Sequence, residues 1–232
     1  KHISAGAQKV LISAPATGDV KTIVLGVNEQ DLKAEDVIIS NASCTTNCIV
    51  PVIHTLHQAF GIESGVITTI HSAMNDQPVI DAYHHTDLRK TRAAFNSVIP
   101  VETGLAQGVE RFFPHLTHKI SARALRVPTL NVSSLDVVVS VECDTTSDEV
   151  NATLRESLGR FGGVLAVNDE PLASCDFLGA EASSIVDATQ TQVSGRRLIK
   201  VMIWFDNEWA FVNRMVDIAL RVSEFVTEES SR

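Results

Sequence analysis

No stretch of this 232-residue chain is apolar for long enough to cross a bilayer, and no secretory signal pattern opens it. Cysteine is scarce. Cys44, Cys48, Cys143 and Cys175 are too few for a disulfide scaffold at this length, so free thiols in a reducing, cytoplasmic compartment are expected. Positive charge is in deficit: 19 basic against 28 acidic side chains leave a formal charge of -9, which argues against nucleic acid or an anionic membrane as partner. Internal repeats and low-complexity tracts are absent. So are Gly-x-Gly-x-x-Gly and Walker-type loops, and any dinucleotide would need its phosphate-binding turn from outside this sequence. What remains is an ordinary globular composition, 44% hydrophobic and 20% charged, long enough for one large domain or a domain and a half.

The chain begins at Lys1, and its opening reads as cut. His2 to Ala7 resembles the end of a helix stopped by Gly6. Short apolar runs at Val10–Ile12, Thr22–Leu25 and Val37–Ile39 suit buried strands of an α/β sheet. A fold that starts in mid-helix is expected to have lost an N-terminal segment. A helix is predicted from Cys44 to about Phe60, where Cys48, Val52, Leu56 and Ala59 share a face and Gly61 is the stop. Gly65–His71 is β-rich. Ser72 to about Asn96 is a long irregular loop, of the kind usually functional or interfacial.

Ala122–Val127, Ser134–Glu142 and Gly163–Val167 look like antiparallel strands. A helix between the last two opens on a capping box, Thr146-Ser147-Asp148-Glu149. Leu198–Phe205 is a further strand. A closing amphipathic helix, about Glu208 to Val226, carries Phe211, Met215, Ile218, Val222 and Phe225 on one stripe. The pattern is a partial α/β unit, then an α+β domain, then a returning helix.

Cys44 stands where a buried strand turns into a helix, in Ser43-Cys44-Thr45-Thr46-Asn47-Cys48. Free backbone N–H groups and the helix dipole favour a thiolate there, and the thiolate is the nucleophile. The competing reading is a small buried hydrophobe. Cys48, one turn on, is a core residue or, alternatively, a zinc ligand. A reactive cysteine needs a base. Of eight histidines, His71 closes a strand and opens the long loop, as a side chain for catalysis would. The pairs His54/His57 and His115/His118 have no third ligand at a recognisable spacing and read as surface or packing residues. His84-His85 reads as a loop tip.

Arg126, before Val127-Pro128-Thr129, is a rigid place for an anion clamp. Arg89, Lys90 and Arg92 cluster in the loop, where solvation is the simpler explanation. Thr103-Gly104 offers a hydroxyl and an open N–H, suited to phosphate or to any turn.

Taken together these motifs resemble the glyceraldehyde-3-phosphate dehydrogenase family. Ala42-Ser43-Cys44-Thr45-Thr46-Asn47-Cys48 resembles its nucleophile motif and Thr68-Thr69-Ile70-His71 its base motif. Arg126-Val127-Pro128-Thr129 and Trp204-Phe205-Asp206-Asn207-Glu208 also match, in order, and the resemblance covers essentially the whole chain. His71-Ser72-Ala73-Met74-Asn75-Asp76-Gln77 and the run Asp206 to Met215 are most similar to the branch that oxidises D-erythrose 4-phosphate. Met74 stands where the glycolytic branch usually has a phosphate-holding threonine, and Phe211 where it has tyrosine. Thr103-Gly104 is the glycolytic-type pair. Lys90 stands where many members have arginine, which loses a bidentate grip that Arg89 could restore.

The resemblance implies a remnant of a Rossmann-type parallel NAD-binding domain in residues 1–43. An α+β catalytic domain with a mostly antiparallel sheet follows in 44–206, and a C-terminal helix over 207–232 packs back on the first part. It implies a homotetramer whose loop from Ala73 to Asn96 lines the cofactor site and the subunit contact. The implied reaction is NAD-dependent oxidation of a phosphorylated aldose, D-erythrose 4-phosphate to 4-phosphoerythronate, a step of pyridoxal phosphate biosynthesis. Cys44 attacks the aldehyde and His71 is its base, standing as a thiolate–imidazolium pair about 3–4 Å apart. Ser43, Thr45, Arg89, Lys90, Thr103, Gly104 and Arg126 hold substrate or an acyl-acceptor anion, and Asn207 and Ser13 hold NAD. The alternatives are the phosphorylating glyceraldehyde-3-phosphate enzyme and, in another class, an inactive fragment or interaction module without cofactor binding. A cysteine hydrolase would share the Cys/His pair but leaves Asp206-Asn207-Glu208 without a role.

Overall fold

The computed structural model describes residues 1–230, with side chains described to residue 226. It is an α/β plus α+β fold built on two sheets. The first is a small parallel sheet in the order β1 (Val10–Ile12), β3 (Ile38–Ser40), β2 (Lys21–Thr22). Ahead of it lies a single 3-10 turn, Ile3–Ala5, ending at Gly6. The strand expected over Thr22–Leu25 ends at Thr22. Ile23 and Val24 are fully buried, but the Asn28 side chain accepts the Val24 N–H at 2.8 Å and donates to the Thr22 carbonyl at 3.0 Å. That Asx-type closure turns the chain out of the sheet.

From β3 the chain enters α1 (Cys44–Phe60), which ends at Gly61 with φ 68. β4 (Ile62–His71) follows and belongs to a seven-stranded sheet. Its other strands are β5 (Ile99–Val101), β6 (Ile120–Arg126), β7 (Ser133–Val141), β8 (Leu165–Asn168), β9 (Ser184–Ser194) and β10 (Leu198–Phe205), in the order β5-β6-β4-β7-β10-β9-β8. Most neighbours are antiparallel. Two expected antiparallel strands instead pair in parallel, β6 with β4 and β8 with β9. The reason is connectivity: α2 (Leu105–Phe112) crosses between β4 and β6, and a long excursion separates β8 from β9. Neither α2 nor β9 is marked by a contiguous apolar run, and the run at β5, Val98–Val101, is broken by Pro100.

α3 (Ser147–Phe161) starts on the predicted capping box. The Thr146 hydroxyl accepts the Glu149 N–H, and the Glu149 carboxylate accepts the Thr146 N–H at 2.8 Å. The main core lies between the large sheet and α1, α2 and α3, with Ile53, Leu56, Ile67, Leu135, Val139, Leu154 and Val201 all inaccessible. A second cluster joins the closing helix α4 (Trp209–Ser230) to the small sheet through Ile218, Val222, Ile23, Leu32 and Ile39. Each such side chain contributes roughly 1.5–3 kcal/mol on burial. Ile218 and Val222 of the predicted stripe turn inward and Phe225 packs beside them, whereas in the first two turns the inner face is Ala210 and Arg214, and Phe211 and Met215, one position on, are half-buried. The loop after His71 contains two 3-10 turns, Leu88–Thr91 and Ala94–Asn96, and is otherwise irregular as expected. No helix among the described residues is long and apolar enough to cross a membrane.

The pairing directions place the C-terminal ends of β4, β6 and β10 at the same edge of the large sheet. His71, Arg126 and Phe205 are the last residues of those strands.

Candidate active site

The first turn of α1 supplies the sulfur. Ala42 takes φ 57 and swings the chain out of β3, and Ser43 caps the helix, its Oγ accepting the Thr46 N–H at 3.0 Å. The Asn47 amide donates to the carbonyls of Asn41 (2.7 Å) and Ser43 (3.0 Å), which pins the strand-to-helix corner. Cys44 therefore sits at the positive end of a 17-residue helix.

His71 comes from the sheet edge. Its Nε2 lies 3.7 Å from the Cys44 Sγ, and its Nδ1 lies 2.9 Å from the Ser72 carbonyl. A carbonyl can only accept, so Nδ1 carries the proton and Nε2 offers its lone pair to the thiol. The ring stands edge-on to Phe205 with centroids 6.1 Å apart.

Burial governs both groups. It pushes the Cys44 thiol up to about 11, against the Thr45 backbone N–H and the Arg126 guanidinium, which pull it down. Burial, with help from Arg126, pushes the His71 imidazole down to about 4, against the Ser72 carbonyl and Asp76. Desolvation thus works on both groups against the standing ion pair expected from sequence. The helix start does lower the thiol, but desolvation outweighs it.

Arg126 faces His71 directly across the parallel β4–β6 pairing. Its half-buried guanidinium makes no hydrogen bond or ion pair among the described residues, and burial lowers its pKa against the charges of Asp76 and Cys44. A desolvated, unengaged cation beside a nucleophile is a place for an anion. Ser43, Thr45, Thr103 and Gly104 line a single cleft of about 820 Å³ together with Thr46, Gln107, Gly108 and Arg111. The structure thus gathers four of the predicted anion-binding residues in the cleft and places Arg126 at the sheet edge opposite His71. Arg89 and Lys90 lie elsewhere, on the 3-10 turn Leu88–Thr91, which packs against β5 and does not line the cleft. Ser13 is exposed just beyond the C-terminal end of β1. His57 and His115 pack ring against ring, tilted, with centroids 4.3 Å apart. Cys48 is fully buried in the main core.

Asn207 follows β10 and is 7% exposed. Its Oδ1 accepts from the hydroxyls of Ser133 (2.7 Å) and Ser72 (2.9 Å), whereas its Nδ2 has no acceptor among the described residues. Two unspent N–H donors at the sheet edge fit the carboxamide oxygen of a nicotinamide. Asp206 beside it accepts the N–H groups of Glu208 (3.0 Å), Trp209 (2.9 Å) and Gly179 (2.9 Å) and the amide of Asn131 (2.9 Å). Burial raises its carboxyl, but these four bonds together hold it below the ordinary range.

Ser72, Ser133 and Arg111 escaped sequence reasoning. Arg111 ties α2 to the segment before β2 by donating to Ala16 O, Gly18 O, Val20 O and Thr22 Oγ1, and so shapes the cleft wall. Only Ser72 carried a local signal, its place next to His71.

The family model for the glyceraldehyde 3-phosphate dehydrogenase C-terminal domain matches residues 43–207, the span that begins at the Ser43 cap and ends at Asn207. This chain belongs to the glyceraldehyde-3-phosphate dehydrogenase family, and its site is that of a dehydrogenase.

Proposed function

We propose that Cys44 and His71 oxidise the aldehyde of a phosphorylated aldose, D-erythrose 4-phosphate, to 4-phosphoerythronate. The observation that carries this is the 3.7 Å contact between the Cys44 Sγ and an His71 Nε2 whose lone pair is freed by the Nδ1 bond to Ser72. His71 takes the thiol proton as sulfur bonds to the carbonyl carbon. The developing alkoxide meets the N–H groups of the α1 first turn. His71 returns that proton to the alkoxide, giving the thiohemiacetal and a neutral ring, and takes the hydroxyl proton back as hydride departs, leaving a thioacyl Cys44. NAD, when bound, supplies the hydride acceptor. Asn207 would hold its carboxamide, and Ser13, past the end of a parallel strand, would lie on its other portion. Water cleaves the thioacyl bond and releases the acid.

Arg126 and the cleft residues Ser43, Thr45, Thr103 and Gly104 hold the substrate's phosphate and the carbonyl end. Arg89 and Lys90 sit on the turn that packs against β5, outside that cleft, and any part they take in holding substrate would be from there. Met74, 41% exposed, has no hydrogen-bond donor for a phosphate, which favours the four-carbon sugar over the glycolytic one. The Thr103-Gly104 pair favours the phosphorylating reaction, with inorganic phosphate as acyl acceptor.

Residues 1–43 belong, in this proposal, to the NAD-binding part, residues 44–206 to the catalytic part, and the 207–232 segment returns onto the first. The protein works as a homo-oligomer, the tetramer of the family, with neither nucleic acid nor membrane as partner. Support comes from the strongly exposed Val79, Ile80, Tyr83 and Leu88 of the long loop. Its four free thiols suit the cytoplasm.

The test is NADH formation by the protein as its gene encodes it, with D-erythrose 4-phosphate and with glyceraldehyde 3-phosphate, each with and without inorganic phosphate. Turnover of the four-carbon sugar without phosphate is expected. Strict phosphate dependence with the three-carbon sugar would assign the site to the phosphorylating reaction instead.

A further inference from the structure

The base and the amide donor are joined through one hydroxyl. Ser133 Oγ accepts the Ser72 N–H at 3.1 Å and donates to Asn207 Oδ1 at 2.7 Å. The Ser72 hydroxyl donates to the same Oδ1 at 2.9 Å, and the Ser72 carbonyl accepts from His71 Nδ1 at 2.9 Å. Ser72 and Ser133 are essentially inaccessible. Without the two hydroxyls, an asparagine amide can turn over and present its oxygen to the site as readily as its N–H groups.

We infer that Ser133, with Ser72, is a positioning residue that locks the Asn207 amide with its donors facing the site and steadies the strand end carrying His71. This rests on the reading of Cys44 and His71 given above. The Ser133 hydroxyl reaches both arms from outside the His71–Ser72 strand end: it holds the Ser72 peptide on one side and Asn207 on the other. Two backbone bonds flank the same corner, Ala73 N–H to Thr129 O at 2.9 Å and Val127 N–H to His71 O at 2.8 Å. The imidazole is therefore loosened, not lost, when the hydroxyl is removed.

The experiment uses the 232-residue chain and two readouts that need no cofactor: the rate of Cys44 carbamidomethylation by iodoacetamide at pH 7, and the Asn207 side-chain amide resonances. Ser133→Ala should slow alkylation about threefold or more and broaden or double the Asn207 Nδ2 signals. Ser133→Thr, which keeps the hydroxyl, should restore both. Ser72→Ala should also broaden the Asn207 signals. His71→Asn is the control. If it leaves the alkylation rate unchanged, the His71 assignment itself fails. If it slows the reaction while Ser133→Ala leaves the rate at the parent value and the Asn207 signals as sharp as before, the positioning role alone is overturned. A Ser133→Ala chain that does not fold, beside an unperturbed Ser72→Ala spectrum, also overturns it, because the hydroxyl would then be structural only.

Discussion

Cys44 and His71 meet across a helix start and a strand end, Sγ to Nε2 at 3.7 Å, and burial works on both against their charged forms. The expected consequence is a nucleophile made at the moment of attack. Cys44→Ser should abolish turnover, and His71→Asn should lower kcat by roughly a hundredfold or more, as loss of a general base does. In pH terms, burial that lowers His71 to about 4 should leave it able to accept a proton throughout the neutral range. Direct ionisation of Cys44 becomes substantial only towards about 11. Alkylation of Cys44 in the 232-residue chain should therefore keep climbing beyond pH 9, with no plateau between pH 6 and 8. Mass-spectrometric alkylation rates across that range check it, and a plateau at neutral pH would show a standing thiolate.

The same imidazole makes stability depend on pH. The unfolded chain takes up a proton at His71 near the ordinary 6.5, while the folded chain waits until about 4. Its stabilising contribution is complete above 6.5 and is lost as pH falls from 6.5 to 4. Between pH 5 and 7.5 this is worth about 2 kcal/mol. His54 and His57, both lowered first of all by burial, push in the same direction. Urea unfolding at the two pH values should show a smaller stability gain for His71→Asn than for the parent, by about that amount. Equal gains would mean that His71 is not desolvated.

Much of this site is legible in the sequence because its signals are local. The Ser43 cap, the hydroxyl-rich turn and the apolar run before it mark the start of α1 within a few residues, and the helix ends at the expected Gly61. His71 ends β4 as its run predicts. What is hidden is long-range. Ser133 meets Ser72 and Asn207 from 61 and 74 positions away in the chain. Arg111 reaches carbonyls 91 to 95 positions back. β9 was missed for another reason: its buried half, Ser184–Asp187, mixes polar and apolar residues, and its outer half is rich in Thr and Gln. The Thr22–Leu25 run misleads because burial does not require a ladder partner, and Asn28 diverts Val24 into a turn.

Arg126 offers a cation with no direct ion pair among the described residues. Arg126→Ala should raise KM for the phosphorylated aldehyde at least tenfold. Arg126→Lys should recover only part of that, because an ammonium lacks the planar fork. Removing this positive charge also relieves one of the two influences that hold His71 down, so the imidazole pKa should rise while burial still keeps it below 6.5. NMR titration of the His71 ring in Arg126→Ala reads that shift, and an unchanged value would place the guanidinium too far away to act on the site.

Gly108 links packing to the cleft. It lies on α2 against the first turn of α1, where an added Cβ would come within 2.8 Å of Thr46 Oγ1. In an exposed helix, Gly→Ala gains up to about 1 kcal/mol. Here Thr46 is 4% exposed and cannot step aside, and its hydroxyl also bonds the Ser43 Oγ at 2.8 Å. The clash should outweigh the propensity gain, so Gly108→Ala is expected to destabilise the chain by about 1–3 kcal/mol. Displacing Thr46 also disturbs the cap that holds Cys44 at the helix mouth. Alkylation of Cys44 at pH 7 should therefore change in the variant even where thermal melting shows it folded. A Gly108→Ala chain that melts higher than the parent, with unaltered Cys44 reactivity, would show that α2 can withdraw from α1 without cost to the site.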